Sequence, residues 1–197
     1  GFAALHKMSG TEMKKIVDDA GLTCVSSHYG MGELRDSLEN RIEWAQQLEM
    51  KQIVASSFWL AEDASVDDYR KACEELNKLG EKTKAAGIQM VVHNHHMEFE
   101  KRGDELIYDE MLKVLDPDLV KMQFQVAVFD IGYKAADYFR KYPGRFISAH
   151  LSDWSKEKNS QSLIKRIFLG NTQTNTEIAI KSYQIHQEEL EYIGYDD

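Results

Sequence analysis

Met90-Val91-Val92-His93-Asn94-His95-His96-Met97-Glu98-Phe99-Glu100 changes character halfway along its length. Ile88 to Val92 is a short apolar run that reads as a buried strand, and it stops abruptly at three histidines, an asparagine and two carboxylates. Burying that much imidazole and carboxylate without partners is costly, so the stretch is predicted to form a strand mouth facing a ligand, a metal or water. Side chains alternate across a strand, which puts His93 and His95 on one face and Asn94 on the other. Imidazole and carboxylate together suit a divalent transition metal or proton transfer with a small substrate.

Strand and helix patterns alternate outward from this point. Ser9-Gly10-Thr11-Glu12 reads as a capping box opening a helix to about Ala20, closed by Gly21. Leu22 to Ser27 is predicted as a strand ending at His28, and Glu33 to Leu48 as a helix with Leu34, Leu38, Ile42, Ala45 and Leu48 on one face. Lys51 to Ser57 is a strand, Val66 to Ala86 a helix and Ile88 to His93 a strand. Glu105 to Leu115 is a helix, Leu119 to Val128 a strand, Ala135 to Tyr142 a helix and Arg145 to Leu151 a strand. Strand starts roughly 30 residues apart are the spacing of βαβ units in a parallel sheet.

Two parallel architectures compete, an open doubly wound sheet and a closed (β/α)8 barrel of TIM type. No G-x-G-x-x-G or G-x-x-x-x-G-K-[ST] follows a strand, so the nucleotide-binding open sheets lose their usual support. Polar clusters instead follow several strands: His28, Ser56-Ser57, His93-His95-Glu98, Gln123-Gln125 and His150-Asp153. A barrel gathers such strand ends into one ring, and the barrel is favoured. Only five strands are clear, so the predicted barrel is incomplete; residues 1–197 form a single TIM-barrel-like domain with a divergent segment over 161–197.

Composition narrows the partners. A net charge of -9 argues against nucleic acid, because phosphate binding needs a local surplus of Lys and Arg. No apolar run approaches the length of a membrane span, and no basic-then-apolar leader opens the chain. Localisation is left open, with a soluble, cytoplasmic protein expected if no leader has been removed; the first residue is Gly1 and not Met, as in a chain that begins inside a longer gene product. Cys24 and Cys73 make neither a disulfide framework nor a metal pair and read as core residues.

Each cluster has a plainer alternative. The triple histidine stands against chance clustering in a surface loop, and His150 against a satisfied strand-end histidine. Gln123 and Gln125 share one face of an apolar strand, where amides bind either a ligand or a polar neighbour. His28 reads as a residue packed under the mouth, and Trp59 and Trp154 could stack on a sugar face, although aromatic residues in loops more often just pack.

Taken in order, Gly87, His93-Asn94-His95-x-x-Glu98-Phe99, the glutamine-bearing strand, and Lys141-Tyr142-Pro143-Gly144-Arg145-Phe146 leading to His150-Leu151-x-Asp153 resemble the sugar phosphate isomerase/epimerase family. That family has the xylose-isomerase-like TIM barrel, and the resemblance covers about residues 1–155. It implies one divalent metal, commonly Mn²⁺ with Mg²⁺, Co²⁺ or Zn²⁺ as alternatives, held by Glu98, by Gln125 where relatives carry Asp, and by His150. An amide brings no charge to such a site, so weak binding is expected. The fourth ligand, a Glu ending a later strand, has no counterpart after Gly170, and the first barrel strand has none before Met8.

The chemistry implied is movement of a proton alpha to a sugar carbonyl through an enediolate. Glu98 and His93 are the catalytic candidates; His28, His95, Gln123 and Trp154 would bind the small-molecule carbohydrate. The rivals are a non-catalytic sugar- or metal-binding barrel and a multi-zinc endonuclease of the same superfamily. The acidic balance weighs against the latter.

Overall fold

The computed structural model describes residues 8–56 and 58–150. The chain divides into two compact units at Gln123/Phe124. Trp154, Asp153 and the segment 161–197 lie outside the described residues.

The first unit opens with α1 (Gly10–Asp19), and its capping box is present: Glu12 N–H donates to Ser9 Oγ while Ser9 N–H donates to Glu12 Oε2 at 2.7 Å. β1 (Ser26–Tyr29) starts later than the apolar pattern suggested. Leu22 N–H returns to Val17 O to close the helix, and Leu22 and Val25 are exposed, so His28 sits within the strand and not after it. Cys24 is half-buried in the connection, outside the core assigned to it, whereas Cys73 is fully buried. α2 (Met31–Gln47) buries Leu34, Leu38 and Ala45. β2 (Gln52–Ser56) follows, then α3 (Val66–Ala85), opened by a second capping box from Ser65 and Asp68.

β3 (Gln89–His93) ends at its first histidine, so His95 belongs to the loop. A 3-10 turn at Met97–Phe99 and a small antiparallel hairpin, β4 (Lys101–Arg102) with β5 (Glu105–Leu106), come next. The hairpin was not predicted; Gly103, at φ +62°, supplies its turn and delays α4 to Ile107–Val114. β6 (Val120–Gln125) is shorter than the apolar run because Val126–Ile131 winds into a 3-10 helix.

In the first unit the strands run parallel in the order β1-β2-β3-β6. Ile53, Val54, Ala55, Met90, Val91, Val92 and Met122 are all fully buried, as expected of strands covered on both faces. Ser56 pairs with His93 and His93 with Gln123, so these residues share one row at the carboxyl end. His28 Nε2 nevertheless lies 2.7 Å from Gln123 Oε1, although β2 and β3 separate their strands. Three strand spacings in a flat sheet amount to about 14 Å, beyond the combined reach of the two side chains. That hydrogen bond therefore requires strong curvature with the histidines on the concave face, the geometry of a barrel wall.

The second unit contains the end of β6, the 3-10 segment, α5 (Ala135–Lys141) and β7 (Phe146–His150), which neighbours β6. Phe124 anchors its core, with ring centroids 5.7 Å from each of Tyr138, Phe139 and Phe146. The described strands do not close into a ring. Gly132, at φ +97°, ends the 3-10 segment in a conformation a side chain would resist.

Candidate functional site

Three segments of the first unit bring polar side chains to the carboxyl end of its sheet. β1 supplies His28, which is exposed; β3 supplies His93, 2% exposed; and β6 supplies Gln123, 7% exposed. The loop after β3 adds half-buried His95 and fully buried Glu98. The His93 ring meets His28 edge-on at 5.4 Å and His95 edge-on at 4.7 Å. The expectation that His93 and His95 share a strand face fails in its reason, since His95 is off the strand, yet the loop turns its ring back onto His93.

Glu98 explains how the loop turns. Its Oε2 accepts the His95 backbone N–H at 2.7 Å, three residues back, so the buried carboxylate closes the loop that presents His95. Asn94 is also fully buried and does not face solvent; its Oδ1 accepts a long hydrogen bond of 3.5 Å from Tyr108 on α4. Tyr108 stacks on Phe99 at 4.3 Å, which ties the loop to the helix behind it. The carboxylate also raises the pKa of nearby Tyr69, adding to the larger effect of that phenol's burial.

Trp59 was read from the sequence as more at home in packing, yet it is 57% exposed, and its ring lies 5.1 Å from His95. Its backbone is left-handed, φ +50°, which is an outlier for a bulky residue and costs on the order of 1–3 kcal/mol. Neither property has a sequence signal, since both depend on the loop path. The three-residue spacing from His95 to Glu98 was visible, but its use as a loop closure was not.

In the second unit, Gln125 is half-buried at the last position of β6 and His150 is exposed at the last position of β7, both at strand ends as expected. Among the described residues, no three His, Cys, Asp or Glu side chains group closely enough to hold a metal. Glu98, the anion of the implied ligand set, is engaged by its own loop. Glu98 Oε2 carries that backbone bond, and a carboxylate so engaged keeps lone pairs with which it could still reach a divalent ion.

The parallel, curved α/β wall with a polar rim at the carboxyl ends of its strands is of TIM-barrel type, and the chain is similar to xylose-isomerase-like proteins described as sugar phosphate isomerases/epimerases. The chain is 27% identical to a sugar phosphate isomerase/epimerase from Parabacteroides distasonis ATCC 8503, with a TM-score of 0.63 over 82% of this chain and 63% of that one. It is 30% identical over 93 residues to an inosose dehydratase of Clostridium perfringens, covering 47% of this chain and 31% of that enzyme. The chain thus spans about a third of the curated relatives it matches. The fold is also that of the IolI protein, crystallised with a zinc atom, at 11% identity and a TM-score of 0.60 over 78% of this chain and 60% of that one. No family model matches the chain.

Proposed function

We propose that this chain binds a small carbohydrate at the rim of its first unit and moves a proton alpha to the carbonyl. The observation that carries the reading is the buried His93 imidazole, in ring contact with both His28 and His95 and paired in register with Gln123, whose Oε1 meets His28 Nε2. Imidazole is the side chain whose ordinary pKa lies nearest neutral pH, so it can both take and return a proton there. His93 removes the proton on the carbon next to the carbonyl, leaving an enediolate. Return of the proton to the adjacent carbon, with the O–H proton passing to the neighbouring oxygen, isomerises the sugar, and delivery of a proton to the opposite face by a second donor epimerises it. His28, His95 and Gln123 hold hydroxyl groups, and Glu98 keeps His95 in place through the loop closure. The names of the relatives, an isomerase/epimerase and a dehydratase acting on a polyol ketone, support chemistry beginning at an acidic carbon next to a carbonyl.

A second reading is a non-catalytic carbohydrate-binding barrel. It is favoured by Glu98, a fully buried carboxylate with one oxygen bonded to its own loop. Incubation with a panel of ketoses and cyclic polyol ketones in D₂O separates the two. The proposal expects deuterium at the alpha carbon and a loss of roughly 100-fold or more in His93→Phe, the scale of general acid–base contributions. Binding without exchange in the unsubstituted protein supports the second reading.

A further inference from the structure

One residue of α4 touches both ends of the histidine loop. β3 is held by its neighbours as far as His93, which is in register with Ser56 on one side and Gln123 on the other. Asn94, His95 and His96 lie outside any strand or helix, and regular structure resumes with the 3-10 turn at Met97. Tyr108 reaches this stretch at two points. Its hydroxyl donates to Asn94 Oδ1 at 3.5 Å, and its ring stacks on Phe99 with centroids 4.3 Å apart and planes 25° apart. Tyr108 and Asn94 are both fully buried.

The choice of tyrosine here is informative. α4 buries Ile107, Tyr108, Met111 and Leu112, and phenylalanine would fill the same place with no hydroxyl to strip of water. A buried phenol needs a hydrogen-bond partner, and this one meets the amide of the residue between two rim histidines. Successive side chains leave a strand end in opposite directions, so Asn94 turns toward α4 while His93 meets His28 and His95. One peptide plane joins residues 93 and 94. Fixing the amide from behind therefore fixes the direction in which the imidazole leaves the backbone. The stack on Phe99 fixes the far end, and between the two Glu98 Oε2 accepts the His95 N–H. A single helix side chain thus sets the span across which His95 is presented.

Resting on the proton-transfer reading above, we infer that Tyr108 is a positioning residue for that reaction, orienting His93 and His95 through Asn94 and Phe99 without touching substrate. The test is the exchange assay in D₂O with ketoses and cyclic polyol ketones, run beside imidazole ¹H–¹⁵N spectra of the protein alone. Tyr108→Phe keeps the stack and deletes the hydroxyl, Asn94→Ala deletes the acceptor, and the double variant completes a cycle. A bond as long as 3.5 Å adds little to stability, so Tyr108→Phe should keep its thermal midpoint. Its kcat for exchange should fall by about tenfold with KM changed less than about twofold, the signature of a misplaced base. The His93 and His95 resonances should move, and the double variant should exchange no more slowly than Asn94→Ala. If Asn94→Ala does not fold, Tyr108→Phe and its spectra decide the matter alone. Unmoved imidazoles, unchanged exchange in Tyr108→Phe, or losses that multiply in the double variant overturn the inference and leave the proton-transfer reading standing. No exchange by the unsubstituted chain overturns that reading and the inference with it.

Discussion

At the amino ends of the strands in the first unit, polar side chains are tied to backbone; at the carboxyl ends they meet one another. Gln89 Nε2 donates to Met90 O and Leu119 O, both at 2.9 Å, and Asn77 bridges Val114 O and the Asp116 N–H. Gln123 instead faces His28, and His93 faces two other imidazoles. Side chain–backbone bonds fix register and have no reason to open. Side chain–side chain bonds, the minority kind in folded proteins, can be exchanged for bonds to a ligand hydroxyl. Glutamine thus holds backbone at one end of the sheet and, under the proposed reading, serves recognition at the other.

Glu98 is the exception at the carboxyl end, and its removal should have the largest effect. Glu98→Ala leaves a buried N–H and a void, and is expected to cost about 3 kcal/mol in denaturant unfolding. A cost below about 1 kcal/mol would return Glu98 to the role of ligand or base. The two glutamines give a matched pair. Gln89→Leu strips hydrogen bonds from two backbone carbonyls and should cost about 2 kcal/mol with polyol binding unchanged. Gln123→Leu should cost less than about 1 kcal/mol and weaken binding; the reverse order of costs breaks the comparison.

Among the described residues, the two non-glycine positions with positive φ sharpen it further. Glu49, at φ +57°, ends α2 with its N–H on Gln46 O, a helix stop that glycine fills best. Glu49→Gly should stabilise by about 0.5–1 kcal/mol in denaturant unfolding and leave binding alone.

The smallest effect belongs to neither end. Hydrogen bonds from Lys113 and then Arg70 hold the Glu110 carboxyl below its ordinary 4.5, so the stability it adds is present above that pH and is lost as pH falls through the lowered value. Glu110→Gln should lower stability on the neutral side, leave the acid end unchanged and so flatten the slope between them, read by denaturant unfolding at a series of pH values.

Much of this was legible in the sequence, where the signal was local. Ser9–Glu12, the period of α2 and the apolar runs of β2 and β3 each act within a few residues, and their elements are present. The late start of β1 was not legible, because Leu22 and Val25 are apolar yet exposed and only helix closure at Val17 excludes Leu22 from the strand. The β4–β5 hairpin hid inside a helix-like pattern for a similar reason. At the site, the residue types at the strand ends were readable. The His28–Gln123 contact was not, because it depends on curvature accumulated over four strands. Trp59 escaped because a loop's path has no period.

The central claim is that the imidazoles at the carboxyl end act as one carbohydrate site. Long-range ¹H–¹⁵N spectra of the imidazole nitrogens, recorded during titration with myo-inositol, test it most directly. The account predicts that His28, His93 and His95 shift together along a single binding curve, and that Gln123→Leu moves that curve to higher concentration for all three. Silent imidazoles at saturating myo-inositol, or three rings following unrelated curves, would contradict it.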